Sequence, residues 1–159
     1  MNDSRQRILF ICTGNYYRSR FAEAVFNHES ERQGLEWSAY SRGLRIHLAP
    51  DEISPFTESA LTDRAIPRDC TALEPRALHE PDLAAATLAI ALKRAEHFPM
   101  MMQDFPRWAG RIDYWSVHDL DRETHHHALP QIEMLVLDLI ASFRSGCAQG
   151  ASSLAGMEY

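Results

Sequence analysis

Lysine is almost absent. Sixteen basic residues stand against twenty-two acidic ones, and all of the basic residues except Lys93 are arginine. A formal net charge of −6 and a pI near 5.7 leave little of the basic face that neutralises a nucleic-acid backbone, so no nucleic-acid partner is expected. Long apolar runs are also missing. The longest, residues 83–92, is about half of what a bilayer crossing needs, and Ile8 to Cys12 is too short for the core of a signal peptide. No membrane partner is expected, and the location implied is cytoplasmic. Cysteine is scarce. Cys12, Cys70 and Cys147 stand far apart, which excludes both a disulfide framework and a zinc site built on short paired spacings. No metal and no cofactor is expected.

What is present describes one α/β domain. Of the 159 residues, 45% are hydrophobic and 24% charged, enough for a single core and without an internal repeat or linker. Ile8-Leu9-Phe10-Ile11 is a continuous apolar run of the kind shown by a buried parallel strand. From Ser19 the period becomes helical, with Phe21, Ala22, Val25 and Phe26 on one stripe, until Gly34 offers a stop. Leu35 to Ser41 reads as a second strand, and Ser54-Pro55 as the cap and first turn of a helix through about Arg64. A helical turn at Asp82 to Ala86 leads into a third strand, Thr87 to Leu92. A helix over Arg94 to Gln103 follows, which Pro99 kinks or divides. Ile112 to Val117 forms the fourth strand and Leu129 to Phe143 the clearest amphipathic helix. The alternation implies a three-layer fold, an open four-stranded parallel sheet with helices on both faces. Residues 1–146 form the domain and 147–159 a flexible tail.

Open α/β sheets place ligands beyond the carboxyl ends of their strands. There, Cys12-Thr13-Gly14-Asn15-Tyr16-Tyr17-Arg18-Ser19 leaves the first strand and enters the first helix, so its backbone N–H groups can converge at the positive end of a helix dipole. That is an anion cradle. Donors and the fixed charge of Arg18 favour the thiolate of Cys12, making it a nucleophile aimed at a bound oxyanion. The guanidinium can grip two oxygens of a phosphoryl group. Cys70 to Arg76 repeats the Cys-to-Arg spacing but has no glycine, carries Glu74 and loses an N–H at Pro75, so it makes no cradle. Cys70 and Cys147 are ordinary thiols.

The loop, with Ala22-Glu23 after it, resembles the motif of the low-molecular-weight protein tyrosine phosphatase family. The resemblance continues through Ser41-Arg42-Gly43-Leu44, Arg76-Ala77-Leu78 and Asp82-Leu83, and covers about residues 7 to 144. It implies phosphomonoester hydrolysis, of phosphotyrosine or an aryl phosphate on a protein or small molecule, through a phosphocysteine. Cys12 would be the nucleophile, Arg18 the phosphate clamp and Ser19 a donor to the thiolate. Asn15 and Ser41 would shape the loop, and Thr13 to Ser19 would bind the phosphoryl group, inorganic phosphate or another oxyanion.

The family carries an Asp-Pro pair after its fourth strand. The matching stretch makes Asp119 the general acid and Asp121 its competitor, because the proline is missing. Arg20 replaces the proline usual after Arg-Ser and is expected to add positive charge at the mouth of the site. Tyr16 and Tyr17 would either wall an aryl group or pack against the neighbouring loop. Met100 to Met102 are expected in the core, and His125-His126-His127 in a polar loop. Two alternatives share the loop: an arsenate reductase, which needs two further cysteines close together, and a noncatalytic phosphate-binding protein.

Overall fold

The computed structural model describes residues 6–117 and 125–145. Strands β1 (Gln6–Cys12), β2 (Trp37–Gly43), β3 (Leu88–Ala91) and β4 (Asp113–Tyr114) form a parallel sheet in the order β2-β1-β3-β4. The α/β fold is the one the sequence implies. Along β1, Ile8 and Phe10 face one core and Leu9 and Ile11 the other, which is why the run is apolar without alternation. Helices α1 (Arg18–Arg32), α2 (Pro55–Asp63) and α6 (His125–Ser145) lie on the first side. Helices α3 (Glu80–Ala85), α4 (Arg94–Asp104) and the short α5 (Pro106–Ala109) lie on the second. The sheet switches direction around β1, and the loop that leaves β1 opens at this switch point.

Several elements differ from their expected bounds. Pro99 leaves α4 undivided, sitting inside one continuous helix. Helix α6 starts at His125, so its backbone corrects the expected polar loop at His125–His127, and Pro130 is carried inside it. The fourth strand shrinks to Asp113–Tyr114 because the chain then turns to bond Trp115 N–H and Val117 N–H to the carbonyls of Ala91 and Leu92. Of the three methionines, Met101 is fully buried and Met102 largely exposed, since adjacent helical positions cannot all face one core. Among the described residues no helix is long and apolar enough to cross a membrane. Asp119, Asp121, Cys147 and the expected tail lie outside the described residues.

Candidate active site

The loop from Cys12 to Arg18 is held open by donors that pull its carbonyls outward. Leu44 N–H bonds the Cys12 carbonyl at 2.9 Å, Arg45 N–H that of Thr13 at 2.7 Å and Ser54 N–H that of Tyr16 at 2.9 Å. Thr57 Oγ1 donates to the Tyr17 carbonyl at 3.1 Å and the Arg20 guanidinium to that of Asn15 at 3.2 Å. In a planar trans peptide the N–H points opposite to the C=O, so each outward carbonyl turns the next residue's N–H inward. The result is an inward-facing set of donors at the start of α1, which has no acidic residue in its first turn and no side-chain cap.

Two glycines let the chain pack this closely. A Cβ on Gly14 would lie 2.5 Å from the Ala49 Cβ, and one on Gly43 would lie 2.9 Å from both the Asn15 nitrogen and the Thr13 oxygen. Space is what Gly14 supplies. The left-handed residue is Asn15, at φ 51°.

Cys12 is buried, and its Sγ lies 2.8 Å from Ser19 Oγ. Asn15 Nδ2 donates to Ser19 Oγ at 2.9 Å and to Ser41 Oγ at 2.9 Å, while Asn15 Oδ1 accepts from Arg76 N–H at 2.8 Å. Because Ser19 already accepts a hydrogen bond from Asn15, its own hydrogen is left for the sulfur. The structure thus brings together Cys12, Asn15, Ser19 and Ser41. Tyr17 is buried in the core and Tyr16 is half-buried at its edge, so Tyr17 packs and does not wall a pocket.

Arg20 corrects the sequence reading. It is 0% exposed and points under the loop, so it adds no charge at the mouth.

Glu96 and His97, in the first turn of α4, escaped the sequence reading. Arg18 reaches Glu96 through both terminal nitrogens, at 3.3 and 3.0 Å, and also donates to the Val117 carbonyl at 3.4 Å. Thr13 Oγ1 donates to Glu96 Oε2 and lies 3.1 Å from His97 Nε2. His97 Nδ1 accepts from Lys93 N–H at 3.0 Å, which assigns the proton to Nε2 and makes it the donor to Thr13 and Glu96. Burial opposes ionisation of Glu96, but His97, Arg18 and Thr13 outweigh it and hold its carboxyl far below the usual carboxylate range. Glu96 is therefore an anion at any physiological pH, a counter-ion and not a proton donor. The available signal was its place just beyond the carboxyl end of β3.

The folded-state pKa of Glu96 lies below its unfolded value, so its contribution to stability is complete at and above the ordinary carboxylate range. It fades only as pH falls below that range. Glu96→Gln removes one counter-charge from Arg18, whose side chain is 3% exposed. At neutral pH the variant is expected to lose about 3 kcal/mol, a magnitude typical of breaking a buried pair. Inorganic phosphate, which supplies a new anion to Arg18, is expected to raise its melting temperature more than it raises that of the unaltered protein. Equal phosphate-induced shifts in thermal melts would refute this pairing.

Against this geometry, residues 7–142 match the family model for low molecular weight phosphotyrosine protein phosphatase. An arsenate reductase of Bacillus licheniformis is 33% identical over 117 residues, 73% of this chain and 75% of that protein. A protein-arginine-phosphatase of Bacillus subtilis is 29% identical over 106 residues, 66% of this chain and 67% of that protein. The crystal structure of a low molecular weight protein tyrosine phosphatase from T. tengcongensis superposes with a TM-score of 0.73 at 27% identity, covering 86% of this chain and 99% of that one. The chain belongs to the low molecular weight phosphotyrosine protein phosphatase family. Its activity is that of a phosphatase working through a cysteine.

Proposed function

We propose that Cys12 is the nucleophile and that the substrates are aryl phosphomonoesters, phosphotyrosine on a protein among them. The observation that carries this reading is the sulfur of Cys12 set 2.8 Å from a hydroxyl free to donate to it, in a loop whose amides face inward. The thiolate attacks phosphorus, the ester oxygen departs with a proton from an acid, and a phosphocysteine forms. Water, deprotonated by the same carboxyl group, then cleaves the S–P bond and releases phosphate. Arg18 and the loop amides carry the charge on the equatorial oxygens throughout. Since these groups supply both nucleophile and charge, para-nitrophenyl phosphate should turn over in the presence of chelator. Activity lost to chelator would contradict the cysteine route.

Asp119 is the proposed acid. Arg18 anchors the Val117 carbonyl, and Asp119 follows two residues later in the chain, Asp121 four. An acid matters most when the leaving group is poor. Asp119→Asn is expected to slow enzyme phosphorylation by phosphotyrosine at least about tenfold more than by para-nitrophenyl phosphate, whose phenolate leaves with little help. Rapid-quench timing of phosphoenzyme formation on Asp119→Asn and Asp121→Asn separates the candidates. A divergence confined to Asp121→Asn would move the role two residues along.

The arsenate reductase relative raises a second chemistry. Among the described residues the other free cysteine is Cys70, half-buried, and burial together with Asp69, Glu31 and Glu23 pushes its thiol pKa up. That makes it a poor relay nucleophile at neutral pH, so phosphate hydrolysis is the better fit. The arginine phosphatase relative adds phosphoarginine as a second arm to the substrate comparison. Faster turnover of phosphoarginine than of phosphotyrosine would replace the aryl assignment and leave Cys12 in place.

A further inference from the structure

A guanidinium buried as completely as that of Arg20 is costly unless its donors are satisfied. Here Nε donates to Thr71 Oγ1 at 2.8 Å, one terminal nitrogen to the Asn15 carbonyl at 3.2 Å, and the other to the Ala72 carbonyl. Thr71 Oγ1 in turn donates to Glu23 Oε1 at 2.7 Å, and Ser41 Oγ donates to the same oxygen at 2.7 Å. Ser41 itself accepts from Asn15 Nδ2 at 2.9 Å. These bonds close a ring. It leaves Asn15 by the side-chain amide and returns to Asn15 at the backbone carbonyl.

Asn15 is the left-handed residue of the loop, and the carbonyl that Arg20 draws down belongs to the Asn15–Tyr16 peptide. The neighbouring carbonyls of Cys12, Thr13 and Tyr16 are held by backbone N–H groups, so this peptide depends on a charged side chain for the same service. Rotated, it would present a carbonyl oxygen to the anion in place of an N–H. We propose that Arg20 is a positioning residue of the phosphate site, fixing the Asn15–Tyr16 peptide so that the Tyr16 N–H faces the bound oxyanion. Burial and the nearby like charge of Arg68 pull the Arg20 pKa down, and Glu23 and Cys12 oppose that pull.

The inference rests on the oxyanion-binding reading of the loop, and the test separates the two. Inorganic phosphate is titrated calorimetrically into the unaltered protein, Arg20→Met, Arg20→Lys, Arg68→Met and the double variant Arg20→Met/Glu23→Gln. Arg20→Met is expected to weaken phosphate binding about tenfold or more, the scale of one charge-assisted hydrogen bond, and Arg20→Lys to restore part of it. The double variant removes the carboxylate left behind, so its melting temperature should recover while its phosphate affinity does not. Arg68 holds the carbonyls of Thr71, Ala72 and Leu73 without touching Asn15, so Arg68→Met should bind phosphate as the unaltered protein does. Full phosphate affinity in Arg20→Met or in the double variant would overturn the assignment, as would an equal loss in Arg68→Met. Failure of the unaltered protein to bind phosphate would instead overturn the reading of the loop itself.

Discussion

Cys12→Ser is expected to abolish aryl-phosphate turnover, by on the order of a thousandfold or more, the scale seen when a covalent nucleophile is removed. Phosphate binding should stay within a few-fold of the starting value. The two halves of this outcome come from different atoms. The inward amides are set by carbonyl contacts from Leu44, Arg45, Ser54, Thr57 and Arg20, none of which involves the sulfur. A serine hydroxyl fits the same space, and Ser19 remains to bond it, but at neutral pH it is not ionised. Calorimetry with phosphate and steady-state assays with para-nitrophenyl phosphate read the two halves separately. Retained turnover would show that the reaction bypasses the sulfur. Cys70→Ser, which removes none of these carbonyl contacts, should leave both readings unchanged.

Arg18→Lys is expected to lose both halves. The guanidinium spans Glu96 with two nitrogens and still reaches the Val117 carbonyl, a planar arrangement that a point ammonium cannot reproduce. Phosphate should bind about a hundredfold more weakly, and kcat/KM should fall further, because the clamp holds the charge of the transferring phosphoryl group in the transition state. A variant that kept the starting phosphate affinity would mean that the loop amides alone bind the dianion. Charge at this position would then act elsewhere, for example in ordering the chain that leads from Val117 to Asp119.

The loop itself was legible in the sequence because its constraints are local. An apolar strand, a glycine, a residue tolerant of left-handed backbone and a helical stripe succeed one another within about twenty residues. Asn15 and Ser41 were legible through the family motif. Arg20 was misread because charged side chains ordinarily face water, and the ring that buries it draws on Thr71 and Ala72, more than fifty residues away. Glu96 and His97 were missed for the same reason: their partners, Thr13 and Arg18, belong to another strand-helix crossing, and only the pairing of β3 with β1 brings the two loops side by side. The early start of α6 at His125 also goes against local signals, since three histidines and an interior Pro130 favour no helix by propensity. The apolar stripe from Leu129 to Ile140 buries against α1 and carries the helix through it.

The covalent step is the centre of this account, and trapping it is the most direct test. The protein is mixed with para-nitrophenyl phosphate, quenched in acid during the first turnovers, digested and mapped by mass spectrometry, with Asp119→Asn included to slow hydrolysis of the intermediate. One added phosphoryl group is expected on the peptide carrying Cys12, lost when Cys12 is replaced by Ser and unaffected by Cys70→Ser. Turnover with no phosphorylated Cys12 peptide at any quench time, in either protein, would contradict it.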